Sequence, residues 1–217
     1  MGKNKQRSGL LVVVRHGEST WNRLGKWTGL TDVELTSKGR SDARLIGEQL
    51  RDIKFDVIYT SALKRAHETL AEILKTYGKT SAKPIASAVL NERDYGDYTG
   101  KNKWEVKTKV GDKMFEQIRR GYDTDIPHGE NLHMVYDRAV PFYKKVILPQ
   151  LLRGENVLIV SHGNTIRALE KYLDNLTDKQ IESVEMPFSD ILLYTVDNTG
   201  RAVTKELRQI DIAPSNA

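Results

Sequence analysis

The sequence predicts an α/β fold, a three-layer sandwich with a mainly parallel central sheet flanked by helices. Three observations carry that expectation. Apolar, β-branched runs of strand length alternate with stretches of helical spacing. The run Leu10–Val14 is apolar throughout, as a strand buried on both faces requires. Two runs end in almost the same phrase, "VVVRHG" and "LIVSHG", so two strands each deliver a His-Gly pair to a carboxyl end.

Residues 10–14 form the first predicted strand. Thr36 reads as the N-cap of a helix over residues 37–51, where Ala43, Ile46, Gly47 and Leu50 share one face. "FDVIYTS" is the second strand, and Ser61 reads as the cap of a helix reaching Tyr77 that buries Ala62, Ala66, Leu70 and Ile73. A third strand near residues 85–89 feeds the loop "NERDYGDYTG". Two short helices, ending at Gly111 and Arg120, read as an insertion over the sheet. A long helix over residues 131–152 should kink at Pro141 without ending, because the apolar spacing continues through Val146 and Leu151. Residues 157–160 are the fourth strand and residues 164–174 a helix. Thr177 and Gln180 then make a capping box, and "ILLYTV" and "AVTKEL" a hairpin across Asp197–Gly200.

A length of 217 residues suits one domain with one substantial core, residues 1–9 being a flexible leader and 209–217 a short C-terminal tail. No apolar run is long enough to span a bilayer, and the basic start lacks the apolar segment of a signal peptide. Gly2 is not read as a myristoylation site, since Gln6 stands where that motif needs Ser or Thr. The expectation is a soluble, cytoplasmic protein with no membrane partner. Without cysteine there is no disulfide and no thiolate nucleophile. The formal charge of +5 is interspersed, which suits a small anionic ligand and does not draw the dense basic stripe of a nucleic-acid binder. His67, His128 and His133 show no ligand-like pairing, so no metal site is expected.

In open α/β sheets, ligands lie outside the carboxyl ends of the strands, where loops converge and helix N-termini point inward. His16 follows the first strand and His162 the fourth, each with a glycine that lets backbone approach a ligand. If those strands are neighbours, the imidazoles face one another over a pocket. Arg15 adjoins His16, Arg65 follows the second strand, and Arg119 and Arg120 close the insertion; guanidinium groups converging on strand ends suit a phosphoryl group. Arg44, Arg51 and Arg201 read as solvated or ion-paired surface groups. Glu92 reaches the same edge after the third strand. It is placed either to act as a general acid and base or to pair with Arg93 or an arginine across the pocket.

The phrases "RHGES", "TSALKRA", "NERDYG" and "SHGN", in that order, resemble the histidine phosphatase superfamily. "RHGESTWN", "WTGLTDVELTSKG", "LNERDYGDYTGKNK" and "IRR" extend the resemblance to its 2,3-bisphosphoglycerate-dependent phosphoglycerate mutases, from about Leu10 through the hairpin. The resemblance implies a phosphoglycerate mutase-like fold, small phosphoglycerates as substrates, 2,3-bisphosphoglycerate as priming phosphoryl donor and no metal. By the same resemblance His16 matches the phosphohistidine nucleophile, Glu92 the proton carrier and His162 the histidine that steadies the moving phosphoryl group. Arg15, Ser19, Asn22, Arg65, Gly163 and Asn164 match the phosphate pocket, and Thr28, Gly29, Tyr95, Lys103, Arg119 and Arg120 the positions holding the rest of the phosphoglycerate. A homodimer and a homotetramer both stay open.

The chain departs from longer mutases in two places. Residues 121–130 cross quickly to the long helix, and only "RQIDIAPSNA" follows the last strand, so a less covered pocket and some phosphatase leakage are expected. Asp94 stands where many relatives carry His, a change expected to touch loop geometry more than chemistry. The competing readings are a phosphatase of the same superfamily and a non-catalytic phosphate-binding module. The phrases "GKNK" and "IRR" argue against the first, and a proton carrier beside a nucleophile against the second.

Overall fold

The computed structural model describes residues 8–78 and 80–211. The chain runs β1 (Leu11–Arg15), α1 (Thr20–Arg23), α2 (Ser37–Gln49), β2 (Val57–Ser61), α3 (Lys64–Tyr77), β3 (Pro84–Ser87), α4 (Lys103–Val110) and α5 (Asp112–Arg120). It continues through α6 (Leu132–Phe142), α7 (Leu148–Leu152), β4 (Val157–Ser161), α8 (Gly163–Leu173), α9 (Asp178–Ile181), β5 (Asp190–Val196) and β6 (Ala202–Gln209). The six strands lie in the order β3-β2-β4-β1-β5-β6. The first four pair in parallel, and the β5–β6 hairpin adds an antiparallel edge.

Strand periodicity builds the three layers. Val12, Val14, Ile58, Leu158 and Val160 point to one face and pack with Ala43 and Ile46 of α2 and Leu70 and Ile73 of α3. Leu11, Val13, Tyr59, Val157 and Ile159 point to the other, against Ala139, Leu151, Ile166 and Leu169. A third cluster, around Trp27, Phe115 and Ile118, seats α4 and α5 over the carboxyl edge of the sheet. The predicted insertion therefore sits where it can wall a site.

Several boundaries differ from expectation for identifiable reasons. Ser61 stays in β2, where its hydroxyl meets His162 at 2.6 Å and accepts from the Leu63 N–H, and α3 begins after Leu63 with no side-chain cap. The short α1 was not anticipated; Ser19 and Asn22 cap it reciprocally. The third strand is shorter than expected and ends in a 3₁₀ turn over Ala88–Leu90. Between Pro141 and Pro149, neither of which has an N–H, the long helix widens into a π turn over Tyr143–Ile147, and the Leu148 N–H reaches back to the Tyr143 carbonyl. The expected kink is thus a π turn between two prolines.

The leader and tail are shorter than expected where they are described. The Gly9 N–H donates to the Leu151 carbonyl, and the Ser8 hydroxyl accepts from the Val196 N–H. Gln209 belongs to β6, and Ile210 is buried. The remainder of both expectations, residues 1–7 and 212–217, lies outside the described residues. Among the described residues no helix is long and apolar enough to cross a membrane.

The glycine of the first His-Gly pair serves packing rather than ligand approach. A Cβ at Gly17 would lie 2.5 Å from the Gly39 carbonyl oxygen, and one at Gly39 would lie 2.2 Å from that of Glu18. The first turn of α2 therefore docks backbone to backbone on the loop after β1, and Thr36 reinforces the contact by donating to the Glu18 carboxylate at 2.7 Å. Ala for Gly inside a helix ordinarily stabilises by up to about 1 kcal/mol. Here the overlap with rigid backbone reverses the sign: Gly39→Ala should cost about 1–3 kcal/mol in urea denaturation, and a gain in stability would refute the docking argument.

Candidate active site

The site begins with strand pairing. Arg15 of β1 lies opposite Ser161 of β4, and the His16 N–H continues the ladder to the Ser161 carbonyl at 2.9 Å. The next residues, His16 and His162, consequently stand side by side, ring centroids 4.9 Å apart and tilted by 55°. The expectation of two rings facing across a pocket is corrected in one respect. His16 lines the innermost hollow, whereas His162 is fully buried and lines none of the three hollows described below.

Both rings are held neutral. Burial, followed by Arg65 and Arg15, keeps the His16 pKa well below its ordinary value of 6.5. Burial, followed by Arg65, His16 and Arg15, does the same for His162. His16 Nδ1 lies 2.7 Å from the Gly17 carbonyl, which can only accept, so Nδ1 bears the proton and Nε2 the lone pair. His162 Nε2 meets the Ser61 hydroxyl, and its Nδ1 is buried without a protein partner. The Ser61 oxygen accepts from the Leu63 N–H, and the assignment that uses its O–H as well has that O–H donating to Nε2. That arrangement puts the His162 proton on Nδ1.

The arginines around the rings are anchored by carbonyl groups. Arg15 donates to the Met186 carbonyl at 2.7 Å, and its Cζ lies 4.0 Å from the centre of the Phe188 ring. Its other face meets Gly163, where a Cβ would come within 3.6 Å of Cζ. Arg65 donates to the carbonyls of Thr31 and Gly29 at 3.0 and 2.8 Å. The Nε atoms of both are buried without protein partners. Burial lowers the pKa of Arg15, and that of Arg65 to about 10, which leaves the latter charged at neutral pH.

Glu92 is fixed by the start of α8. Its Oε1 accepts from the Arg93 N–H at 2.8 Å and from the N–H and Nδ2 of Asn164, each at 3.2 Å. Of the two roles left open for it, pairing with the Arg93 guanidinium does not form, because that group donates to the Ile118 carbonyl instead. Asn164 Nδ2 also donates to the Tyr95 hydroxyl at 2.9 Å, while its Oδ1 accepts from Arg167. Arg138 gathers the Glu92 loop from below by donating to the carbonyls of Val89, Asn91 and Glu92. Asp94 accepts from Gly96 and receives none of the site's chemistry, as a loop residue should.

Three adjoining hollows share Arg15 and Lys103. The innermost, about 50 Å³, is lined by His16, Asn22, Thr28, Gly29, Arg65, Glu92 and Tyr95 with Lys26 and Trp27. The second, about 120 Å³, adds Arg119, Arg120, Gly163, Asn164 and Arg167. The outermost, about 320 Å³, opens between Trp104, Arg119, Arg120 and the segment Glu185–Phe188. Burial, with Arg15 and Arg119 nearby, lowers Lys103 to about 8. Of the residues expected at the site, Ser19 and His162 alone line no hollow; the Ser19 hydroxyl donates to Asn22 Oδ1 at 2.7 Å. Ser61, Arg138, Arg167 and residues 184–188 were not anticipated. Only Arg167 left a signal, three residues beyond Asn164 on the same helix face.

The residues set aside keep their distance. His128 pairs with Asp97 and His133 with Asp123 at the surface. No group of three or more His, Asp or Glu among the described residues is placed to hold a metal ion. Arg44 pairs with Glu72 and Arg51 reaches the Thr76 carbonyl, as surface groups do. Arg201 is different: it lies 4.2 Å over the Tyr172 ring and donates to the Tyr172 carbonyl.

A pair of neutral imidazoles under unpaired arginines, at the carboxyl edge of a parallel sheet, defines a phosphoryl-handling α/β protein. The chain belongs to the histidine phosphatase superfamily (branch 1), whose family model matches residues 11–207. It is 42% identical to a 2,3-bisphosphoglycerate-dependent phosphoglycerate mutase of Parvibaculum lavamentivorans over 91% of this chain and 95% of that one. It is 44% identical to a phosphoglycerate mutase of Schizosaccharomyces pombe over the same shares. Among solved structures, a mycobacterial glucosyl-3-phosphoglycerate phosphatase superposes with a TM-score of 0.78 at 23% identity, over 94% of this chain and 98% of that one. The α-ribazole phosphatase of Shigella flexneri superposes with a TM-score of 0.75 at 22% identity, over 93% and 95%. At those identities the solved structures establish the shared fold.

The depressed histidine pKa values make stability depend on pH in a definite direction. Below about pH 6.5 the unfolded chain binds protons that the folded rings refuse, so stability falls as pH drops toward the folded values. Each ring costs up to about 1.4 kcal/mol per pH unit in that window. Urea denaturation in phosphate-free buffer at pH 7.5 and 5.5 should show this loss, and a His16→Gln/His162→Gln variant should lose less over the same interval. An identical loss in the variant would refute the assignment.

Proposed function

We propose that the chain interconverts 3-phosphoglycerate and 2-phosphoglycerate, the glycolytic and gluconeogenic step, by a phosphohistidine mechanism primed by 2,3-bisphosphoglycerate. The observation that carries the reading is a neutral His16 with its Nε2 lone pair free, packed beside His162 and lining the same hollow as Glu92, which opens onto further cations. The mutase relatives at about 40% identity support the same activity. Cytoplasmic location and self-association as dimer or tetramer belong to this reading.

The donor set suits an anion charged at both ends. Inside, Arg15 Nε and Arg65 Nε are buried without protein partners and Lys103 lines the same hollow; farther out lie Arg119 and Arg120. When bound, 2,3-bisphosphoglycerate supplies the phosphoryl group that primes the site. His16 Nε2 accepts that group, while Arg15, Arg65 and Asn22 hold its oxygens, and His162 Nδ1, buried without a protein partner behind His16, is the donor left for an oxygen on that side. A hydroxyl of 3-phosphoglycerate attacks the phosphorus, the P–N bond to His16 breaks, and Glu92 takes the hydroxyl proton. In the return step the other phosphoryl group of the resulting bisphosphate passes to His16, its bond to the sugar-acid oxygen breaks, and Glu92 gives that departing oxygen the proton, which leaves 2-phosphoglycerate. Tyr95, Thr28, Gly29, Gly163 and Asn164 shape the cavity around the transferred group, and Ser19 acts through Asn22.

Two measurements test this. Incubation with 3-phosphoglycerate and a trace of 2,3-bisphosphoglycerate should yield 2-phosphoglycerate. His16→Ala should reduce that rate about a thousandfold or more; dominant inorganic phosphate with no isomer would overturn the reading in favour of a phosphatase. Ser61→Ala should lower kcat about threefold to tenfold with little change in KM, because it releases His162 without touching the ligand.

A further inference from the structure

The segment Val184–Phe188, between α9 and β5, engages two of the site's arginines at once. Its Met186 carbonyl and Phe188 ring hold Arg15. Its Val184 carbonyl accepts from Arg120 Nη1 at 3.3 Å, and the Glu185 carboxylate pairs with Arg120 Nη2. Among the described residues, Glu185 is the one carboxylate lining the outermost hollow, against Arg15, Lys103, Arg119 and Arg120. The Glu185 side chain is 66% exposed and that of Arg120 20%, so the carboxylate can swing away into water without losing hydration.

We infer that Glu185 is a specificity-determining residue, an internal anion that occupies Arg120 until the outer anionic group of a ligand displaces it. The inference rests on the phosphoglycerate reading above and concerns how that site weighs its ligands. A ligand confined to the innermost hollow leaves the Glu185–Arg120 pair intact. A ligand with a second anionic group must break the pair and then meets the Glu185 charge at close range. Glu185 therefore weakens the binding of bisphosphates relative to small single anions, and keeps the priming donor from saturating a strongly cationic chamber.

The test compares Glu185→Gln with the wild-type chain, since Gln keeps the size and hydrogen-bonding oxygen but removes the charge. Calorimetric titration at low ionic strength should show 2,3-bisphosphoglycerate binding about threefold to tenfold more tightly to the variant. Inorganic phosphate, which reaches only the inner hollow, should change less than twofold. In an Arg120→Met background the same Glu185→Gln change should shift the 2,3-bisphosphoglycerate affinity less than in the native background. An unchanged or weakened 2,3-bisphosphoglycerate affinity overturns the inference, as does equal tightening of both probes. Because damage to the fold weakens binding, a gain cannot be mistaken for it. Absence of isomerisation by the wild-type chain would defeat the phosphoglycerate reading; an unaltered affinity in Glu185→Gln beside an active wild type would defeat the Glu185 inference alone.

Discussion

The parallel pairing of β1 with β4 is the contact on which the site depends. It aligns Arg15 with Ser161, and so brings two imidazoles from distant parts of the chain to 4.9 Å at the carboxyl edge of the sheet. A pair of protonated rings at that separation would repel, and burial beside Arg15 and Arg65 makes the neutral forms the stable ones. Neutrality is also what a nucleophilic nitrogen needs, because its lone pair must be free. One constraint, desolvation next to fixed positive charge, thus serves the chemistry directly.

The cations around the rings are held in a way that preserves their field. Arg15, Arg65, Arg93 and Arg167 donate to backbone carbonyls, those of Met186, Gly29 and Thr31, Ile118, and Arg120 and Ile181 respectively. A carbonyl satisfies an N–H and orients a guanidinium without cancelling its charge, whereas a carboxylate would do both. The charge left over is available to an anion. It is sustained by the large apolar layers on both faces of the sheet, where Leu11, Val12, Val14, Ile58 and Leu158 are fully buried. Carboxylates of the protein meet these cations toward the mouth, where Glu185 pairs with Arg120 and Glu116 with Arg119.

Much of this was legible from local pattern. His16 and His162 could be placed because each follows an apolar strand, and strand ends are where α/β sheets bind ligands. Arg15, Arg65 and Glu92 follow by the same logic, Arg119 and Arg120 from their place at the close of the insertion, and the remaining site residues came from the family resemblance. Ser61 was misread because a serine before a helical pattern is ordinarily a cap; only the neighbouring strand shows that its hydroxyl is needed by His162. Gly17 was misread for a similar reason, since the backbone that crowds it belongs to Gly39, in the first turn of α2. Arg138 and residues 184–188 carry no local mark, because they act through carbonyls and rings that are distant in the chain.

Periodicity and turn chemistry decide which segments become strands and helices, and which side chains reach the ends of strands. Those are short-range matters of backbone geometry and of which face is apolar, and the chain spells them out in order. Which strand lies beside which, which buried ring lines the hollow and which lies behind it, and whether an arginine meets a carbonyl or a carboxylate are different matters. They depend on pairs of residues far apart in the chain, and on a dielectric environment that exists only once both core layers have closed. Folding alone brings His162 to His16, and with it the burial that turns two ordinary histidines into uncharged ones.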